Sequence, residues 1–289
     1  MKKIKFLLPL LAFVGVTSAC TSDSEPSDTI FNQTYNPCYS IATTGSEAPV
    51  VTSPVIVNLE QINITKGTVT VTLHNIMANS TLYPEITLSN MKFSPDKESW
   101  GNVSETTPTV TTPGVVVTDF KMRWINRSGL LDNPNGNYPG LVYSFMLNST
   151  TFVTGSTPKV VFAGTTTSTP EGGDAYTTNR PQYALSLDFA NRKATIDVHH
   201  ANFSAGMPEL NMQFADIPFT IENMGKEIVL DNPSLIPSIG GTPYPSFPIT
   251  ELKGKFTPGT GFELQFICDF RGTPYTVKTK TDYTLPATN

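Results

Sequence analysis

A strand that breaks its own alternation, twice, constrains this chain more than any other feature. Ile86 and Leu88 keep one phase, and Met91 and Phe93 resume it after a three-residue step. Met212, Phe214, Ile217 and Phe219 repeat the same step 126 positions on. In a strand, side chains alternate faces with period two. An apolar phase that slips by one therefore needs an extra residue, a bulge or a corner. Asn90 and Asp216 stand at the slip, and both residue types tolerate unusual backbone angles. The strand is expected to bend at both places, as small sheets must when they close into barrels.

The repeat extends on both sides of this strand. Val69–Ile76 aligns with Ile196–Phe203, Thr118–Trp124 with Thr250–Phe256, and Leu141–Leu147 with Phe262–Cys268. Four matches in order point to a duplicated unit. Pro, Gly and Asn interrupt the chain too often for long helices, and alternation dominates, so the fold class is all-β. The expected organisation is a leader at 1–19, a flexible tether at 20–45, a first β module at 46–168, a linker at 169–182 and a second β module at 183–289. Copy one carries an insertion, Ile125–Gly140, where copy two has a short Thr-Pro-Gly-Thr-Gly turn. Copy two has its own irregular segment from Asp231 to Pro248, with five prolines and Gly240-Gly241, read as a stiff extended connection.

The N-terminus reads as an address. Lys2, Lys3 and Lys5 precede an apolar run from Phe6 to Val16, then Thr17, Ser18, Ala19 and Cys20. This is the layout of an export signal, shorter than the roughly 20 apolar residues of a spanning helix. Ser-Ala-Cys20 resembles the lipobox of bacterial lipoproteins, although Thr17 stands where that motif has Leu. The resemblance implies lipidation of Cys20 and a membrane partner through that anchor, in the outer membrane, facing the periplasm or the cell surface. Loss of the signal leaves 16 of the 19 basic residues against 24 acidic ones, a net charge of −8. That balance argues against nucleic acid as a partner. Cys38 and Cys268 could pair in an oxidising compartment or stay free; Cys268 shares the phase of Phe262, Leu264 and Phe266, which points it into a core.

Only 15% of the residues are charged, and 41 are Thr, so the material of most active sites is scarce. No Gly-x-Ser-x-Gly elbow, His-Glu-x-x-His pair, phosphate loop or dinucleotide fingerprint is present. Neither an enzyme nor a metal or other cofactor is expected. His199 and His200 are consecutive on a strand and point to opposite faces; His200 follows the inward phase of Ile196 and Val198. Asp132–Asn137 departs from a calcium loop in the place of its Gly and the lack of a closing Glu. Among the aromatics, Trp124 and Phe145 read as core. Tyr244 and Phe247 in the Pro-rich segment, with Tyr138 in the insertion, read as exposed contact residues for a ligand.

The alternating strand ending in Asn-hydrophobe, then Ile/Met-x-Leu/Phe-x-Asn/Asp-Met/Ile-x-Phe, then Ile-Thr-Glu-Leu-x-Gly and Thr-Pro-Tyr-Thr-Val, resembles the calycin-like β-barrel modules of Bacteroidetes lipoproteins. The resemblance covers about Val55–Val161 and Tyr183–Lys280. It implies two tandem antiparallel barrels and carries no catalytic residues. Two function classes follow. One is a binding protein holding a small apolar molecule or a glycan. The other is a structural or adhesive surface protein, similar to fimbrillins. Bulky inward residues such as Phe262, Leu264, Phe266 and Phe270 favour the second.

Overall fold

A computed structural model describes residues 30–94, 101–128, 137–223, 225–258, 261–270 and 272–282, of which 125–128, 137–139, 163 and 282 are described in backbone only. The described residues contain strands and turns and no helix. The first sheet is built from β1 (Ile30–Thr44), β2 (Val50–Asn63), β3 (Thr68–Ala78), β4 (Thr81–Ser94), β5 (Gly101–Glu105), β6 (Thr109–Val110), β7 (Val117–Ser128), β8 (Asn137–Leu147) and β9 (Thr151–Ser156). Its order is β3-β2-β1-β9-β8-β7-β5-β4-β6, and β3 also pairs with β4. The ladder therefore closes on itself through eight antiparallel strands, with β6 as a short rider on β4.

The second sheet follows the same plan. Its strands are β10 (Lys159–Ala163), β11 (Thr165–Pro170), β12 (Tyr176–Thr178), β13 (Gln182–Asp188), β14 (Lys193–Ala201), β15 (Leu210–Glu222), β16 (Glu227–Leu235), β17 (Ser238–Ile239), β18 (Thr242–Pro243), β19 (Ile249–Thr257), β20 (Gly261–Phe270) and β21 (Thr273–Asp282). The path runs β10-β13-β14-β15-β16-β19-β20-β21-β11-β12 and forms a curled sheet. Its two ends belong to one stretch of chain: β10 pairs β13, and β11, one residue after it, pairs β21. In the first barrel β1 does the same, pairing β2 along most of its length and β9 with its last residues.

The expected bends are present. Asn90 and Asp216 have φ of 54° and 57°. At each, the ladder shifts register, between Val69/Val71 and between Ala194/Ile196 of the neighbouring strand. Three further left-handed positions recur: Gly67 with Arg192, Asn75 with His200, and Asp119 with Glu251. These pairs refine the repeat. Val71 faces Leu88 as Ile196 faces Phe214, so β3 aligns with β14 at a spacing of 125, where the sequence match placed it at 127. A two-residue shift keeps every side chain on its face, so hydrophobic pattern is blind to it. Left-handed backbone costs a β-branched residue about 1–2 kcal/mol and glycine nothing. Asp216→Gly is thus expected to fold with unchanged stability and Asp216→Val to lose about that amount. Denaturant unfolding measures both, and equal effects would place no weight on the bulge.

The structure moves both module boundaries. Residues 30–44, expected within the tether, are β1, paired on both sides. The run Asn32–Pro37 hides this strand because its residues are polar or exposed apart from Tyr35, which alone is buried. The expected linker at 169–182 overlaps β11 and β12, and Lys159–Ala163 belongs to the second module rather than the first. The copy-one insertion is also less of a loop than expected. Ile125–Ser128 pairs with Asn137–Gly140, extending the β7–β8 hairpin by four positions. In copy two, Asp231–Pro248 is not an extended connection. Gly240 and Gly241, with φ of 57° and 79°, turn β17 back on β18, and Ser238 pairs with Gln213 of β15. Two adjacent left-handed residues are what a two-residue hairpin turn requires.

Candidate functional site

An eight-stranded barrel is just wide enough for its inward side chains to fill it. In the first barrel Phe120, Met122, Trp124, Tyr143 and Phe145 are buried within one apolar cluster. Phe145 packs against Phe120 in a tilted arrangement and against Tyr143 in a stacked one, with centroids 6.0 and 6.3 Å away. In the second, Phe162 meets Phe256 at 5.7 Å and Phe262 at 5.0 Å, while Phe266 meets Phe203 and Phe214 edge-on at 5.5 and 5.3 Å. Part of this wall is hydroxylic. Thr166 and Tyr183 share a 2.8 Å hydrogen bond, Thr166 donates to Thr279 at 3.1 Å, and Ser168 donates to the Phe203 carbonyl. The second cluster also takes in Tyr39, Ile41 and Val142 of the first barrel. Tyr39 lies 4.3 Å from Phe189, so the two modules share apolar contacts.

The residues singled out in the sequence do not converge. Tyr244 is 41% exposed, as expected. Phe247 is 3% exposed and stacks 6.5 Å from Phe203, so it is core rather than contact surface. The fold-back of β17–β18 explains this. Tyr244 N–H donates to the Pro237 carbonyl, and Phe247 N–H to the Tyr244 carbonyl, turning the ring inward. Tyr138 is described in backbone only, where it pairs with Arg127. Cys20, the leader and Asp132–Gly136 lie outside the described residues.

Cys38 and Cys268 do not pair. Both thiols are free, and each lies in a different module's core. Burial pushes both thiols up to about 12, with Asp269 adding to the effect at Cys268.

His200 also departs from its expected inward phase. Its left-handed backbone ends the alternation, and Ala201 takes the inward place. His200 Nδ1 instead lies 3.1 Å from Glu209, which Arg180 holds through two 2.9 Å bonds. The Arg180 hydrogen bonds lead the causes that lower the Glu209 pKa, with His200 adding to them. This is an exposed clasp on the 202–209 loop. No group of three or more metal-ligating side chains occurs among the described residues.

One concave feature has not been foreseen. A groove of about 610 Å³ lies on the outer face of the second sheet. Lys253 and Lys255 of β19, Glu263 and Gln265 of β20, and Lys278 and Lys280 of β21 line it. Register sets them in two rows, Lys253–Gln265–Lys278 and Lys255–Glu263–Lys280, with Thr167 and Thr165 continuing the rows on β11. Lys280 pairs with Glu263 at 3.3 Å and Lys255 with Glu227 at 3.9 Å. Lys253 and Lys278 have no carboxylate within ion-pair reach among the described residues. The sequence carried a signal for this site in Lys253-Gly-Lys255 and Lys278-Thr-Lys280, since Lys-x-Lys on a strand places both ammoniums on one face. In a scan of protein-family models and a search of curated proteins, this chain finds no match.

Proposed function

We propose that this chain is a non-catalytic cell-envelope lipoprotein, tethered through Cys20, that holds a glycan on the outside of its barrels. The supporting observation is the filling of both interiors by mutually contacting aromatic side chains, while a groove of ligand size lies on the exterior. A small apolar molecule would have to displace buried rings, whereas the groove offers ammonium, amide and hydroxyl groups suited to a sugar chain. The leader, the Ser-Ala-Cys20 motif and the resemblance to calycin-like lipoprotein modules of Bacteroidetes support the envelope location. A structural or adhesive role is the second reading, favoured by the apolar contact of Tyr39 with Phe189 that ties the modules together.

Native mass spectrometry on the chain from Ser22 onward, purified from its own cells without denaturant, tests this. The expected result is a bare mass that shifts on incubation with envelope glycan extract. A mass excess that persists through purification and is lost only on unfolding would place a ligand in the interior and overturn the exterior reading. A bare mass with no shift on any glycan extract would move the assignment to the structural role.

A further inference from the structure

We infer that the groove across β19, β20 and β21 binds an acidic polysaccharide, a linear chain bearing carboxylate or sulfate groups, with Lys253 and Lys278 as its anion contacts. The inference rests on the glycan-binding reading and names the class of glycan. Charge selects the occupant. Two of the four ammoniums are already neutralised, Lys280 by Glu263 and Lys255 by Glu227. Lys253 and Lys278 form no ion pair among the described residues; they flank the Gln265 amide, with Asp231 in register on the far side of Lys253. They stand two strand spacings apart, about 10 Å. An anionic group seated between them meets two cations and an amide donor. Sugar hydroxyls along the same row meet the amide oxygen and Thr167.

The rest of the molecule works against any other source of anions. The whole chain carries −5, and −8 without its leader, so a broad anionic surface that comes within a Debye length of roughly 8–10 Å meets net repulsion from the surrounding acidic surface. A flexible polymer can follow the groove, where four lysines stand against the one lining carboxylate of Glu263. The pair is also exposed, so its attraction falls with added salt.

Calorimetric titration of the chain from Ser22 onward at low salt tests the inference, with dextran sulfate, polygalacturonate, neutral dextran and phosphatidylserine–phosphatidylcholine vesicles as probes. The expected result is binding of both acidic polymers, no heat from dextran, and no vesicle binding. The double variant Lys253→Gln/Lys278→Gln should lose at least tenfold in affinity, while Lys92→Gln/Lys121→Gln on the first barrel should lose none. All four strand positions stay polar in these variants, so folding is preserved, and circular dichroism verifies it. Equal binding by the groove variant, or binding of vesicles alone, would overturn the assignment. If neutral glycans bind and acidic ones do not, the inference falls and the glycan-binding reading stands. If no polysaccharide or envelope glycan binds at all, both fall.

Discussion

Adding one methyl group at Gly101 is expected to cost the first barrel about 1–3 kcal/mol, the usual range for overpacking a filled core. Gly101 lies directly across from Trp124 in the β5–β7 ladder. A Cβ there would fall 2.1–2.4 Å from three atoms of the indole ring. The ring cannot back away, because Phe93 packs edge-on at 5.0 Å and the indole is 1% exposed. The Gly101 backbone is not left-handed, so Ala is conformationally acceptable there and would by itself stabilise by a few tenths of a kcal/mol through the unfolded chain. The cost is therefore steric, and it belongs to the pair. Trp124→Ala should lose about 3–5 kcal/mol by leaving a cavity. In a Trp124→Leu background, Gly101→Ala should become close to neutral, giving a coupling of about 1 kcal/mol or more. Denaturant unfolding of the four proteins reads this directly. An undiminished Gly101→Ala cost in the Leu background would show that backbone, not the indole, sets the requirement.

The same arrangement recurs on β9. Gly155 lies across from Tyr143, and a Cβ there would meet the phenol at 2.3 Å and the Tyr39 carbonyl oxygen at 2.4 Å. Tyr143 donates a hydrogen bond to that same carbonyl at 3.2 Å. A ring lying across a neighbouring strand's glycine covers backbone that has no side chain of its own. Both glycines were invisible as packing residues in the sequence, since a glycine in a strand pattern reads first as a bulge or a turn.

What could be read from the chain was phase; what could not was polar burial. Asn90 and Asp216 announced themselves because the apolar phase slips at each. β1 and β11 did not, for two different reasons. The first half of β1 pairs with β2 alone and buries only Tyr35, its other side chains being exposed or half-buried, so no alternating apolar phase distinguishes it from a tether. β11 is Thr-Thr-Thr-Ser-Thr-Pro, yet Thr166 and Ser168 are buried against Tyr183, Thr279 and the Phe203 carbonyl. Their hydroxyls are satisfied within the wall, so the burial carries little penalty. A hydropathy pattern records these residues as polar and a linker is the natural reading. The candidate site suffered the opposite error. Aromatics in a Pro-rich segment looked exposed, but Phe247 is carried inward by a fold-back no spacing could reveal. The lysines of the groove were plain in the sequence, and only the register of three strands brings them together.

Stability is expected to fall steeply above pH 9, and the sign follows from four buried acids. Cys38 and Cys268 titrate near 9.0 in an unfolded chain and are pushed up to about 12 in the folded one, chiefly by burial. Tyr183 moves from 10.0 to about 12 through burial, partly offset by its hydrogen bonds with Thr166 and Thr279. Tyr143 is also raised well above 10.0, by burial first and then by Cys38 and Tyr39. Between the two values of each group the unfolded chain has released a proton that the folded chain retains. The folded state then binds more protons, so stability declines as pH rises. It is fully present below pH 9 and is lost through the window up to about 12, at about 1.4 kcal/mol per pH unit for each thiol, with the tyrosines adding above 10. Urea unfolding from pH 7 to 10.5 should show the decline. Cys38→Ala/Cys268→Ala should flatten its first part while leaving the tyrosine part in place. Iodoacetamide at pH 8.5 should leave the native protein unmodified and label both thiols once it is unfolded. Native labelling at the rate of a free peptide thiol, or a slope unchanged in the double variant, would mean these cysteines are not held in closed cores. Absence of any label after unfolding without reductant would mean that they are joined after all.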